Sequence, residues 1–299
     1  MKQYGKSIRI FLPDARVTGL RHAEIINRTG QAIACPRSRL DELKEWPETA
    51  KPGVYFLFEA RLGDSKPLAY IGESENVADR LLSHDREKDF WNEVVIFSSK
   101  DDNLSKSHIK YLEAKLESRA KNAARYALKN GNTPKQSSLS RAEYESMDEL
   151  LEDIRLFLGV LGYPILEPLI KPSCAQLIDT GVVISETLTG RELFFNGRGF
   201  SARGVQTDEG FVLKKNSTMT AKNNLSLSDR LVKLKEQLIA DGRLLTEENH
   251  LRLTEDILMS SSSYAASFIA GSSRSGPQSW CAENGKALKE LEDQIARGG

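Results

Sequence analysis

Two short apolar runs, Gly53-Val-Tyr-Phe-Leu-Phe58 and Leu68-Ala-Tyr-Ile-Gly72, carry the main structural signal of this chain. Both runs are apolar and rich in β-branched and aromatic residues, which is typical of strands buried on both faces. Residues 61–67 between them contain Gly, Asp, Ser and Pro, which favour turns. The sequence therefore predicts an antiparallel hairpin that places Tyr55 and Tyr70 on neighbouring strands.

The pattern changes after the hairpin. Apolar residues recur four apart between Ser74 and His84, which predicts a helix with Ser74 at its start. Arg80 and His84 are also four apart, so they share one face of this helix. A third apolar run, residues 94–97, predicts another strand.

A longer helix is predicted from about residue 104 to residue 128, after the polar residues 101–103. Its buried stripe consists of Ile109, Leu112, Leu116 and Ala120. Glu113 lies at the edge of that stripe, so a carboxylate is expected near the boundary of the core.

Residues 50–135 resemble the GIY-YIG nuclease family in the order of these predicted elements and in the residues that they carry. The resemblance is carried by Gly53-Val54-Tyr55, Tyr70-Ile71-Gly72, Arg80, His84 and the helix with Glu113. It implies an α+β fold with a small three-stranded antiparallel sheet flanked by helices. The fourteen residues between Tyr55 and Tyr70 are more than the family usually has. The family also tends to have an asparagine after the catalytic helix. Asn122, Asn130 and Asn132 compete for that position, and Asn130 is favoured.

The chemistry of phosphodiester hydrolysis assigns roles to these residues. Glu113 is the candidate ligand for Mg²⁺, or Mn²⁺ in its place, because hard divalent cations prefer carboxylate oxygens. Arg80 presents a permanently charged fork of donors that matches a phosphate. The resemblance further implies that Tyr55 positions or deprotonates the attacking water while Tyr70 orients the site. His84 is expected to assist as a proton acceptor, and Asn130 completes the catalytic set.

A basic segment follows the hairpin region. Residues 105–141 contain nine Lys or Arg residues against two Glu, a net charge of +7. Such a stripe attracts a polyanion and makes binding dependent on salt. The predicted nucleic-acid contacts are Lys106, Lys110, Lys115, Arg119, Lys121 and Arg125. A solvated helix face, balanced by the acidic residues 143–153, would give the same pattern.

The whole chain has 299 residues and no global basic signature, because 42 Lys and Arg balance 42 Asp and Glu. No secretory signal and no membrane span are predicted. The three cysteines are far apart, and the four histidines lack metal-ligand spacing. A reducing cytoplasm is therefore the expected compartment. DNA is the expected partner, RNA is not excluded, and a homodimer is possible because one site cuts one strand at a time.

The length predicts two or three domains. Residues 1–48 are expected to form a small β subdomain, residues 49–168 the nuclease-like domain with a trailing helix, and residues 169–299 a C-terminal α+β domain. The tail resembles a small domain of unknown function found after GIY-YIG nucleases, and also modules of restriction and adenine-methylation systems. A nucleic-acid targeting role is possible, although Cys281 follows Trp280 where a lysine is common. Alternatively, Ser260–Ser263 caps a helix and Trp280 is a core residue.

These observations favour a divalent-metal-dependent DNA endonuclease. The alternative is a nucleic-acid-binding or defence-associated module that keeps a nuclease-like scaffold with little turnover. A third reading is a protein-interaction adaptor without nucleic-acid binding.

Overall fold

The computed structural model describes residues 5–60, 66–131, 138–170 and 188–297. The chain forms two compact units, residues 1–168 and residues 169–299. Both contain sheets and helices, so the expected α+β class is confirmed. None of the helices in the described ranges has the length and apolar character needed to cross a membrane.

The N-terminal unit is built on one sheet of seven strands. The strands are β1 (Ile8–Phe11), β2 (Arg21–Ile25), β3 (Gly30–Pro36), β4 (Gly53–Phe58), β5 (Leu68–Ser74), β6 (Glu93–Ser99) and β7 (Ala127–Leu128). They lie in the order β1-β2-β3-β6-β4-β5-β7. All pairs are antiparallel except β5 with β7. The predicted hairpin of β4 and β5 is confirmed, and β4 is a central strand.

Helices cover both faces of this sheet. The helices are α1 (Val77–Glu87), α2 (Lys106–Ala123) and α3 (Arg141–Val160), with 3-10 segments at Arg37–Glu45 and Pro47–Ala50. Helices α2 and α3 pack on one face, against Val54, Phe56 and Phe58 of β4. Helix α1 and the first 3-10 segment pack on the other face, against Tyr55 and Leu57. Every residue of β4 is therefore buried, as the continuous apolar run predicts.

The sheet is larger than the expected three-stranded core. Strand β3 pairs with β6 over seven residues, from Gly30 opposite Ser99 to Pro36 opposite Glu93. The N-terminal strands, expected as a separate subdomain, therefore continue the same sheet. Strand β3 is buried on both faces, because Ala32 and Ala34 belong to one core and Ile33 and Cys35 to the other. A strand buried on both faces belongs to the interior of a sheet.

Two helix boundaries differ from the prediction. Asn76, not Ser74, caps α1, since its side chain accepts a hydrogen bond from the Asp79 N–H. Helix α2 ends at Ala123, because Ala124 adopts a left-handed conformation with φ of 54°. The chain then forms β7 beside β5, so the predicted helix to residue 128 is too long.

The C-terminal unit contains two sheets and four helices within its described residues. Its strands are β8 (Glu192–Gly197), β9 (Phe200–Thr207), β10 (Gly210–Leu213), β11 (Thr218–Thr220), β12 (Leu244–Thr246), β13 (His250–Leu253) and β14 (Ile257–Met259). They form a four-stranded sheet, β14-β10-β9-β8, and a three-stranded sheet, β11-β13-β12. The helices are α4 (Asp229–Ala240), α5 (Ser262–Ala270), α6 (Gly276–Ser279) and α7 (Leu288–Arg297). Their core is separate from the two cores of the N-terminal unit.

Candidate active site

The two tyrosines of the hairpin lie on the same face of the sheet. Tyr55 is directly opposite Gly72, and Tyr70 is two residues from Gly72 along β5. A Cβ atom at Gly72 would lie 2.5 Å from Tyr55 Cζ, so the tyrosine ring occupies the space above the glycine. The second glycine of the motif is therefore required by the first tyrosine, since any side chain there would displace the ring.

Helix α1 places His84 against both tyrosines. The His84 ring centroid lies 5.6 Å from that of Tyr55 and 5.3 Å from that of Tyr70. His84 Nε2 is 2.7 Å from the Tyr55 hydroxyl oxygen, which is hydrogen-bonding distance. Both side chains are almost fully buried, with 1 % exposure each. The second ring nitrogen of His84, Nδ1, is buried and has no hydrogen-bond partner among the described residues.

Arg80 closes this cluster towards solvent. It lies one helical turn before His84 and is exposed. Its guanidinium also hydrogen-bonds the Tyr55 hydroxyl, which favours the ionised form of the phenol. Arg80 is therefore the charged side chain that lies between the buried Tyr55 hydroxyl and solvent.

Burial shifts the proton affinities of the tyrosine and the histidine in opposite directions. It raises the pKa of Tyr55 well above its usual range, with repulsion from Tyr70 adding to the effect. Burial, together with the charges of Arg80 and Lys88, lowers the pKa of His84 to about 4. At neutral pH both groups are therefore uncharged, and additional charge is needed before a proton can move between them.

Glu113 reaches the site from helix α2, around the edge of β5. Its carboxylate accepts a hydrogen bond from the backbone N–H of Glu73. Burial raises the pKa of Glu113 to about 7, and repulsion from Glu73 and Glu117 adds to the shift, against an attraction from Lys106. Glu73 and Glu117 therefore make the surroundings of Glu113 negative, and the Lys106 ammonium offsets part of that charge.

The carboxylate set fits a divalent cation with few protein ligands. In the described part of the chain, no group of three His, Cys, Asp or Glu residues is arranged to enclose a metal ion. Mg²⁺ commonly takes one or two carboxylates and completes its shell with water and phosphate oxygens. In such an arrangement Glu113 would supply the carboxylate.

Asn130 is the asparagine that contacts this region. Its amide pairs with the backbone of Ile71 on both sides, at 3.1 Å from Ile71 N and 2.7 Å from Ile71 O. The same side chain donates to Glu117 Oε1 at 2.6 Å. Asn130 thus ties β5, between Tyr70 and Gly72, to helix α2. Asn122 is exposed on α2, and Asn132 lies outside the described residues, as do residues 61–65 of the hairpin loop.

Most side chains of the predicted basic stripe make contacts within the chain. Lys106 pairs with Glu73 at 2.7 Å, Arg119 with Glu152 at 2.6 Å and Lys121 with Glu117 at 3.2 Å. Lys115 lies over the Tyr111 ring, and Arg125 donates to the backbone carbonyls of residues 167 and 168. Lys110 is exposed. Neutralisation within the chain therefore reduces the positive field that the sequence alone predicts.

Three residues near the site were missed by the sequence analysis. Glu73 meets both Glu113 and Lys106. Glu117 is almost fully buried and hydrogen-bonded to Asn130. Lys88 lies with its ammonium 4.6 Å from the centre of the Tyr70 ring. The spacing of Lys88, four residues after His84, and of Glu117, four residues after Glu113, was the available signal.

The serine-rich turn and the tryptophan of the C-terminal unit have structural roles. Ser261 caps α5 by accepting a hydrogen bond from the Tyr264 N–H at 3.1 Å. Trp280 is fully buried, and its Nε1 donates to the Ser262 carbonyl oxygen at 2.9 Å. The capping and core reading of these residues is therefore confirmed.

Comparison with family models finds a match to a domain of unknown function, DUF4357, over residues 193–292. This agrees with the resemblance of the tail to a domain of unknown function, and it covers less than half of the chain. The comparison gives no match to the GIY-YIG family. The curated proteins and the solved structures give no match to this chain.

Proposed function

We propose that the N-terminal unit is a GIY-YIG-type endonuclease domain that hydrolyses DNA phosphodiester bonds with a divalent cation, Mg²⁺ or Mn²⁺. The observation that carries the proposal is the contact among four residues that come from β4, β5 and α1. Tyr55, Tyr70, Arg80 and His84 meet on one face of the sheet, and Glu113 approaches them around its edge. A purely structural aromatic cluster has no need of the arginine, the histidine or the carboxylate.

Tyr55 and the two side chains that contact its hydroxyl have complementary roles. Arg80 is exposed and permanently charged, so it binds the phosphate and stabilises the charge that develops on its oxygens. Tyr55 orients the attacking water and takes its proton. His84 Nε2, at 2.7 Å from the Tyr55 oxygen, accepts the proton that Tyr55 must release.

Substrate binding favours this proton transfer. The Arg80 charge lowers the pKa of His84 in the free protein. A phosphate beside Arg80 offsets that charge, and so makes His84 a better acceptor. A divalent cation held by Glu113, when bound, supplies positive charge that polarises the phosphate and favours ionised oxygen ligands. Glu73 and Glu117 add negative charge that favours the cation at Glu113.

The test is cleavage of a supercoiled plasmid by the purified chain with Mg²⁺, Mn²⁺ or a chelator. We expect metal-dependent nicking that falls by about 100-fold or more in Tyr55→Phe and Glu113→Gln. Two matched variants serve as controls. Tyr111→Phe removes the hydroxyl of another buried tyrosine, one that bonds Asp148, and Glu145→Gln neutralises an exposed carboxylate of α3.

Full activity in the controls and loss in the two site variants, with unchanged circular dichroism, would support the assignment. Robust cleavage by both Tyr55→Phe and Glu113→Gln would overturn it.

A second candidate is a DNA-binding module with little turnover. The burial of Tyr55 favours it, because a phenol with 1 % exposure and a raised pKa is a poor base in the free protein. This candidate predicts salt-dependent DNA binding that survives Glu113→Gln, with no cleavage under any divalent cation.

A further inference from the structure

One face of helix α1 carries a row of three basic side chains, Arg80, His84 and Lys88. They are spaced four residues apart, with Lys88 directly after the last residue of the helix. Arg80 bonds Tyr55, His84 lies between the two tyrosines, and Lys88 lies over Tyr70. The row therefore follows the tyrosine pair from one end to the other.

The charge of Lys88 is not neutralised by its acidic neighbours. Asp89 lies 3.5 Å from Arg37, and Glu87 Oε2 lies 3.9 Å from His84 Nδ1. In the described part of the chain no ion pair joins Lys88 to a carboxylate, and the contact found for its ammonium is the face of Tyr70. Such a cation is better placed to bind an anion than the paired Lys106, Arg119 or Lys121 of α2.

The spacing of the row suits two phosphates of one strand. Eight residues of helix extend about 12 Å, and a nucleic-acid strand carries one phosphate for every 3.4 Å or so of duplex axis. This rise equals about three to four phosphate steps, so Arg80 and Lys88 match two non-adjacent phosphates along the same strand.

We propose that Lys88 binds a second phosphate of the same strand, about three to four steps from the one held by Arg80, so that the substrate strand runs along α1 across the tyrosine pair. That the phosphate held by Arg80 is the one hydrolysed rests on the proposed function. The contact with Lys88 concerns binding alone and does not require cleavage. Lys88 is then a substrate-binding residue that holds the strand without taking part in the chemical step.

Equilibrium binding of the full chain to a short labelled DNA duplex, measured in EDTA over a range of salt concentrations, tests the contact without cleavage. Loss of one phosphate contact lowers the slope of log K against log salt by about 1. We expect this change in Lys88→Gln and recovery of the slope in Lys88→Arg. Arg86→Gln is the matched control, because Arg86 lies on the exposed side of the same helix, away from the tyrosines.

Steady-state cleavage separates this role from a catalytic one. Lys88→Gln is expected to raise KM several-fold with kcat retained, whereas Arg80→Gln lowers kcat. An equal slope in Lys88→Gln and Arg86→Gln would overturn the contact even if the wild type cleaves DNA. Lys88-dependent binding without cleavage by the wild type would support the contact and overturn the nuclease proposal. Absence of DNA binding by the wild type would overturn both.

Discussion

Tyr55 and Phe56 are consecutive residues of β4, both almost fully buried, but they face opposite sides of the sheet. Phe56 stacks with Phe58 and meets the edge of Phe97, with ring centroids 5.9 Å and 5.6 Å away. Tyr55 instead meets His84 and Arg80, and its hydroxyl is a buried polar group. One face thus supplies apolar packing, while the other holds groups whose proton affinities are shifted by burial.

The two faces of the sheet therefore differ in role: one face contributes mainly to stability, and the other holds the residues of the proposed site. The face with α2 and α3 holds the largest cluster of buried apolar side chains in this unit. The face with α1 contains a buried histidine nitrogen, His84 Nδ1, that lacks a partner within the described part of the chain, which is unfavourable for folding. Such sites persist when function requires them.

The largest effect is expected from breaking the apolar face. Phe56→Ala removes a fully buried ring between two other aromatic side chains, and should destabilise the N-terminal unit by about 3–5 kcal/mol. Urea denaturation of the full chain measures the loss. Leu82→Ala on α1, at a half-buried position, is the control with a smaller expected loss. Equal effects would contradict a core centred on Phe56.

A smaller effect is expected where the glycine motif meets the tyrosine. Gly72→Ala places a methyl group in the volume of the Tyr55 ring and should cost about 2–3 kcal/mol through forced displacement. It should also reduce cleavage, because the hydroxyl moves away from His84. Gly159→Ala is the matched control, since no described residue outside its own helix lies within 4 Å of its added Cβ and a helical alanine stabilises. Thermal unfolding that ranks the two variants in the opposite order would contradict the packing argument.

Asn130→Ala tests how β5 is held against α2. The change removes the amide that pairs with both backbone groups of Ile71 and leaves the buried Glu117 without that donor. We expect a loss of about 1–2 kcal/mol in unfolding free energy. Asn122→Ala, on the exposed side of α2, should change stability little. A larger effect at Asn122 would reverse the choice between the two asparagines.

The smallest effect concerns the pH dependence of stability. The pKa of Glu113 is raised to about 7 in the folded chain. The folded state is therefore stabilised when the pH is below the pKa that Glu113 has in the unfolded chain, and this stabilisation is lost as pH rises through 7. Glu113→Gln should therefore stabilise the N-terminal unit by about 1 kcal/mol at pH 8, with little difference at pH 4. Denaturation at the two pH values measures this. A destabilised variant at pH 8 would contradict the unfavourable burial of the charge.

His84 changes stability in the opposite direction to Glu113, and does so at lower pH. Its pKa is lowered to about 4, so the folded chain loses stability as pH falls from about 6.5 towards 4, where the unfolded chain binds the proton first. His84→Gln should flatten this acid loss while the alkaline behaviour due to Glu113 remains. The acid dependence of the urea midpoint gives the comparison, and an unchanged profile in the variant would place the titrating group elsewhere.

The sequence determined the local elements and their order. The apolar runs at residues 53–58 and 68–72 predicted β4 and β5, and the interval of four residues placed Arg80 and His84 on one helix face. These features depend on interactions between near neighbours, which the residue types themselves specify. The choice of Asn130 among the asparagines rested on the family resemblance, and its contacts became visible only in the folded chain.

Tertiary structure alone decided which distant groups meet. The pairing of β3 with β6, the approach of Glu113 around the edge of β5 and the ion pairs that neutralise much of the basic stripe join residues far apart in sequence. No local pattern specifies such contacts, because they depend on which apolar surfaces bury one another. The shifted pKa values follow from the same burial. The sequence thus supplied the side chains of the proposed site, and packing of the two faces of the sheet supplied their environment.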